Sequence, residues 1–157
     1  MSRMRASKLG VFLVLAICLL IFPGCDPESL GESPEEARAF ADPAAEQILQ
    51  GISNNDYEQF SKYFSGPLKM QITKELFYKN NPQIRQTLGK YVSKSFMTRT
   101  VNDGVDDIMY KVVFTNEPGT TYIQLKYKVV EGQDQVTYVQ ILSPKMAELM
   151  KKQKAGQ

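Results

Sequence analysis

The side chains of this 157-residue chain that could do chemistry are few in kind. Histidine is absent, and there are two cysteines, Cys18 and Cys25. Without an imidazole, a Ser-His-Asp triad, a Cys-His pair and a histidine-ligated zinc are all excluded. Carboxylates, phenols and amines remain. Asp103, Asp106 and Asp107 fall within five positions, a grouping of oxygen donors that could hold a hard cation. Their spacing lacks the alternation of a D-x-D-x-D-G calcium loop, so they read as a solvated turn, with no metal and no cofactor expected. Asp56 stands where a helix needs an N-terminal cap, and capping is its expected role. Phe77, Tyr78, Tyr91, Tyr110, Tyr127 and Tyr138 supply rings, five of them tipped with a hydroxyl. Such residues line ligand pockets and also fill cores. Phe77, Tyr91 and Tyr127 are the pocket candidates. Lys126 and Lys128 share one face of a strand, which Lys111 and Arg99 could extend. Lys111, Lys126 and Lys128 are the candidate contacts to an anionic surface. No basic-aromatic recognition motif is visible, so no nucleic-acid partner is expected.

The segments that must place these residues begin with an address label. Arg3, Arg5 and Lys8 precede a charge-free run of 14 residues, Leu9 to Phe22. That is the layout of an export signal, and it is shorter than the roughly 20 residues that span a bilayer. Phe22 is too large for the −3 position of an ordinary cleavage site after Gly24. Phe22-Pro23-Gly24-Cys25 instead resembles a bacterial lipobox. The resemblance implies a signal peptide over 1–24 and a mature chain that starts at Cys25, which carries diacylglycerol on its sulfur. Cys18 would leave with the signal, so the mature chain would keep no thiol for disulfides or catalysis. Two or three acyl chains, palmitate among them, anchor stably where one does not. The expected location is the cell envelope: a periplasmic membrane face, or the outer face of a Gram-positive membrane.

Residues 25–41 are acidic and punctuated by Pro, Gly and Ser, and read as a solvated tether. Ser33-Pro34-Glu35-Glu36 nevertheless has the form of a capping box that could start a helical turn. The domain is expected over 42–144. Asp42-Pro43 reads as a second helix start, followed by the apolar stripe Ala45, Ile48, Leu49 and Ile52. Asn54-Asn55-Asp56 breaks it. Tyr57, Phe60, Tyr63 and Phe64 form a short helix closed by Ser65-Gly66-Pro67. Leu68, Ile72, Leu76 and Phe77 continue at helical spacing up to a break at Asn80-Asn81-Pro82. A last piece runs from Pro82 to Leu88, with Gly89 as its stop. The period then falls to two. Strands are expected over 90–101, 107–116, 120–131 and 135–142, with turns at Asn102-Asp103-Gly104, Glu117-Pro118-Gly119 and Glu131-Gly132-Gln133-Asp134. Short turns imply hairpins and an antiparallel meander. Ile123, Leu125, Tyr127 and Val129 alternate with Tyr122, Gln124, Lys126 and Lys128, so one face packs and the other is wet. Residues 145–157 form a basic amphipathic or disordered tail, with Met146, Leu149 and Met150 on one side. The fold class is therefore α+β: helices packed on a curved four-stranded antiparallel meander.

This order, with the phrase AEQILQGISNNDYEQFSKYF, resembles the nuclear-transport-factor-2-like superfamily. Ile52-Ser53-Asn54-Asn55-Asp56-Tyr57 matches the "small-polar-Asp, aromatic" end of its opening helix, and Tyr63-Phe64 the aromatic end of the next. The resemblance covers residues 41–142. It implies a sheet wrapped round helices as a cone whose open end can hold a small molecule. Some members are isomerases or dehydratases using Asp, His or Tyr in the cone, while others bind or dimerise. The expectation for this chain is a non-catalytic, lipid-anchored binding or protein–protein interaction module, with an envelope protein or a second copy as partner. A carrier or sensor of a small apolar ligand is the alternative, and an enzyme of the isomerase or dehydratase type comes third. The net charge of +2 divides accordingly: +3 over residues 1–25, −6 over 26–46 and +5 over 47–157.

Overall fold

The computed structural model describes residues 34–155. The export signal, Cys25 and the first part of the tether lie outside them. Helix α1 runs unbroken over Pro34–Asn54. Its buried stripe is Ala37, Ala41, Ala44, Ala45, Ile48, Leu49 and Ile52, which recur every three or four residues and so share one side. The acidic spacer expected over 34–41 is thus corrected: those residues are helix, and Ala37 and Ala41 belong to the core. Pro43 sits inside α1 rather than starting a helix. An interior proline removes one backbone bond at a cost of about 3 kcal/mol, and the stripe buried on both sides of it offsets that loss.

The chain reverses at Asn55, whose φ of 58° is left-handed. Helix α2 is the single turn Tyr57–Phe60, and Asp56 caps it by accepting from the Gln59 N–H at 3.1 Å. Helix α3 is Gly66–Gln71 and helix α4 is Lys74–Leu88, capped by Ser65 and Thr73. The break expected at Asn80-Asn81-Pro82 does not occur. Asn81 is instead buried, and holds α4 against the end of α1 by donating to the Ile52 carbonyl at 2.9 Å. Gly89 ends α4 at φ 82°, its N–H donating to the Arg85 carbonyl.

Four strands follow: β1 Tyr91–Asn102, β2 Val105–Phe114, β3 Glu117–Val130 and β4 Gln133–Leu142. They pair antiparallel in the order β1-β2-β3-β4, the expected α+β meander. Two hairpins close on residue pairs with positive φ at both positions, Asp103-Gly104 and Glu131-Gly132, as the twist of tight hairpins requires. The turn between β2 and β3 is Thr115-Asn116. The Glu117-Pro118-Gly119 turn is therefore corrected, because those residues open β3. Four irregularities interrupt the sheet register, one of them where β2 meets β3 between Val112 and Phe114. In β1, Val92 and Met97 are extra residues with no opposite number on β2. The sheltered positions consequently run Tyr91, Lys94, Phe96 and Arg99 rather than every second residue. In β4, Thr137 is extra opposite Lys126 and Tyr127. Each such bulge tightens the local twist and bends its strand.

The core lies between the helices and the inner sheet face, where Ile108, Tyr110, Val112, Phe114, Ile123, Leu125, Tyr127 and Val136 meet the α1 stripe. Residues 63–65 pair alongside β4: Ser65 N–H donates to the Val136 carbonyl and Val136 N–H to the Tyr63 carbonyl. The expected tail is helix α5, Pro144–Ala155, with Ser143 Oγ accepting from the Met146 N–H at 3.2 Å. Among the described residues, no helix is long and apolar enough to cross a membrane.

Candidate binding groove

Two regions could have held chemistry. In the first, α1 lies against β1 and β2 with its polar side chains facing tyrosines. Tyr110 Oη donates to Asp42 Oδ1 at 2.7 Å, and Arg38 pairs with the same carboxylate at 3.0 Å. Tyr91 Oη donates to Glu46 Oε2 at 2.7 Å, with Lys94 at 3.5 Å from that oxygen. Lys94 also stands 5.2 Å from the Tyr110 ring centre, and Arg38 5.1 Å from that of Phe96. Tyr127 Oη donates to the Ala37 carbonyl at 3.0 Å. Burial, reinforced by the neighbouring carboxylate, pushes both the Tyr91 and Tyr110 phenols well above their ordinary range. They stay protonated and act as fixed donors. A general acid or base needs a proton affinity near the working pH, which these groups lack.

The pocket trio read from the sequence is therefore not brought together. Tyr91 and Tyr127 clamp α1 to the sheet. Phe77 lies elsewhere, its ring centre 4.8 Å from Phe60 and 5.7 Å from Tyr57. The basic stripe divides too. Arg99 pairs with Asp106, while Lys126 lies on the outer face, 3.1 Å from Asp107 and 5.8 Å from the centre of the Tyr138 ring. Lys111 and Lys128 are exposed. Asp106 and Asp107, as strand neighbours, point to opposite faces, so with Asp103 in the turn the three carboxylates do not converge. Among the described residues, no group of three His, Cys, Asp or Glu side chains could hold a metal ion.

The second region is a groove of about 460 Å³ between α4, β4 and α5. Phe77, Ile84 and Leu76 of α4 form one wall, and Val139 and Ile141 of β4 another. Met146 and Met150 of α5 close the third side, while Ile52 and Asn81 mark where α1 and α4 meet. No lining residue is charged. Size and apolar lining fit a small-molecule site.

What places α5 over this groove is a buried carboxylate. Glu117 is 5% exposed. It accepts from Ser143 Oγ, from Thr121 Oγ1 at 3.2 Å, from Thr120 Oγ1 at 3.3 Å and from the Lys145 N–H at 3.3 Å. Burial alone would raise its carboxyl. The bonds from Ser143, Lys145, Thr121 and Thr120 outweigh burial and hold it below the ordinary value. A negative charge at a helix N-terminus is favourable in any case.

Sequence reasoning identified Phe77 and the Met146, Leu149, Met150 stripe but not what they face. Ile84 and Asn81 were missed, because the proline beside Asn81 reads as a helix break.

No family model matches the sequence, and no curated protein matches it. Among solved structures, the chain is similar to a Campylobacter jejuni protein described as an NTF2-like transpeptidase. The two are 15% identical with a TM-score of 0.46, over 68% of this chain and 99% of that one. It is also similar to a de novo designed protein with a curved β-sheet, at 14% identity and a TM-score of 0.42, over 77% of this chain and 96% of that one.

Proposed function

We propose that this is a non-catalytic binding module of the cell envelope, held to the membrane by lipid on Cys25, which carries a small apolar ligand between α4, β4 and α5. The observation that carries the reading is the groove itself: an uncharged cleft of ligand size, lined mostly by aliphatic and aromatic side chains, beside the hydrophobic core. The carboxylates nearest the tyrosines are engaged in ion pairs and phenol hydrogen bonds, which supports binding over catalysis. The order of elements, helices first and then a curved four-stranded meander, supports grouping the domain with nuclear-transport-factor-2-like domains.

A second reading, a protein partner or a second copy on the outside of the sheet, is favoured by the exposed Val92, Met97 and Tyr138. Native mass spectrometry of the full chain purified from its host separates the two. The ligand reading expects a monomer carrying a bound small molecule. Repeated recovery of empty dimer would overturn it in favour of the outer face.

Anchoring has its own test. Cys25→Ala should abolish incorporation of labelled lipid and release the protein from membranes. Unchanged membrane retention would sink the anchor.

A further inference from the structure

One polar side chain in the groove wall is almost wholly buried. Asn81 is 1% exposed. Its Nδ2 donates to the Ile52 carbonyl at 2.9 Å and to Asn55 Oδ1 at 2.8 Å. A backbone carbonyl can only accept, so the end of the amide facing Ile52 must be its nitrogen, which fixes the orientation of the group. Both Nδ2 hydrogens are then spent. Asn81 Oδ1 is sealed from solvent and has no hydrogen-bond partner among the described residues. A buried acceptor left in this way carries a desolvation cost that an incoming donor would remove.

We propose that the groove takes a neutral amphiphile, an alkyl chain bearing one hydroxyl or amide N–H that donates to Asn81 Oδ1. The proposal rests on the groove being a ligand site. Three features select this class. The lining is uncharged, and Leu76, Phe77 and Ile84 of α4 with Val139 and Ile141 of β4 give an apolar track along which a chain would lie. No lysine or arginine lines it, so an anionic head would enter unpaired, at a large cost. The orphan group is an acceptor, and an ionised carboxylate has no proton to give it. Entry to a sealed oxygen requires the wall to yield. Met146 and Met150 line the same groove, and their unbranched thioethers have several low-cost rotamers with which the wall can adjust to a ligand.

The test uses the full chain in lipid nanodiscs, with 13C-methyl methionine as the reporter. Met146 and Met150 line the groove; Met70, Met97 and Met109 do not. The probes are octan-1-ol, its acceptor-only isostere 1-methoxyheptane, and octanoate at neutral pH. Octan-1-ol should shift Met146 and Met150 selectively and bind about tenfold tighter than either of the others, the difference one buried hydrogen bond makes. Selective shifts with equal affinity for all three probes would overturn the head-group assignment and leave the groove reading standing. If no probe moves Met146 or Met150, or if all the methionines move alike through partitioning, the groove reading falls and this proposal with it. Comparing probes avoids substituting Asn81, which would also remove one of the two donors to the Ile52 carbonyl, the other being the Asn55 N–H.

Discussion

Alanine at position 51 should lower the stability of the domain by about 2–3 kcal/mol, the range of a badly overpacked core site. Gly51 is in α1 and its φ is ordinary, so the reason is space. A Cβ there would lie 2.4 Å from the Phe60 nitrogen, 2.6 Å from its Cα and 2.8 Å from its Cβ. These are chiefly backbone atoms of α2, which no rotamer change can move aside. The approach is this close because the chain folds straight back after α1, with the Asp56 N–H donating to the Gly51 carbonyl at 2.8 Å. In an exposed helix the same change would add about 1 kcal/mol of stability. The expected sign is therefore opposite to propensity. Chemical denaturation should show a lower midpoint with an unchanged slope. The control is Gly66→Ala, where a Cβ meets nothing within 4 Å. Equal or higher stability for Gly51→Ala would show that α2 is not seated as described.

Replacing Glu117 with alanine should cost about 1–3 kcal/mol, because Ser143, Thr121 and the Lys145 N–H lose a shared buried acceptor. The damage should concentrate in α5, read as faster amide exchange there than in β2 or β3. Glu117 also makes stability depend on pH. Its carboxyl is held below the ordinary 4.5 in the folded state. Its contribution is therefore complete above that value and is lost as pH falls through the lower native one. Glu117→Gln keeps the shape and removes the titration. Acid denaturation curves of wild type and Glu117→Gln should converge progressively as pH falls below 4.5 and through the lower native value. Curves that stay equally far apart from neutral to acid pH would mean that Glu117 contributes no linkage.

Both effects rest on contacts that local sequence patterns only partly disclose. The meander was legible because strand alternation and the left-handed pairs Asp103-Gly104 and Glu131-Gly132 are local signals. Asp56 and Gly89 were legible for the same reason, since capping and stopping depend on immediate neighbours. Pro43 and Pro82 misled, because a proline disrupts its own turn while the burial that offsets it lies across the core. Pro118-Gly119 misled as a turn for a related reason: Glu117 is buried by Ser143 and Lys145, 26 and 28 residues further on. Asn81 could not be recognised as part of the groove, because its partners lie 29 and 26 residues earlier. The aromatic rings were rightly seen as a group able to line or to fill. Which of the two depended on α1 carrying Asp42 and Glu46 in reach of the phenols.

The extra residues in β1 have a consequence for how this molecule behaves in a crowded compartment. A sheet with an open outer strand offers a row of backbone donors and acceptors on which another chain can grow, and long flat edges of that kind seed aggregation. The Val92 and Met97 bulges interrupt the row twice within twelve residues. An incoming strand would lose register at each of them. The apolar side chains that β1 exposes are thus mounted on an edge that is a poor template for fibrils.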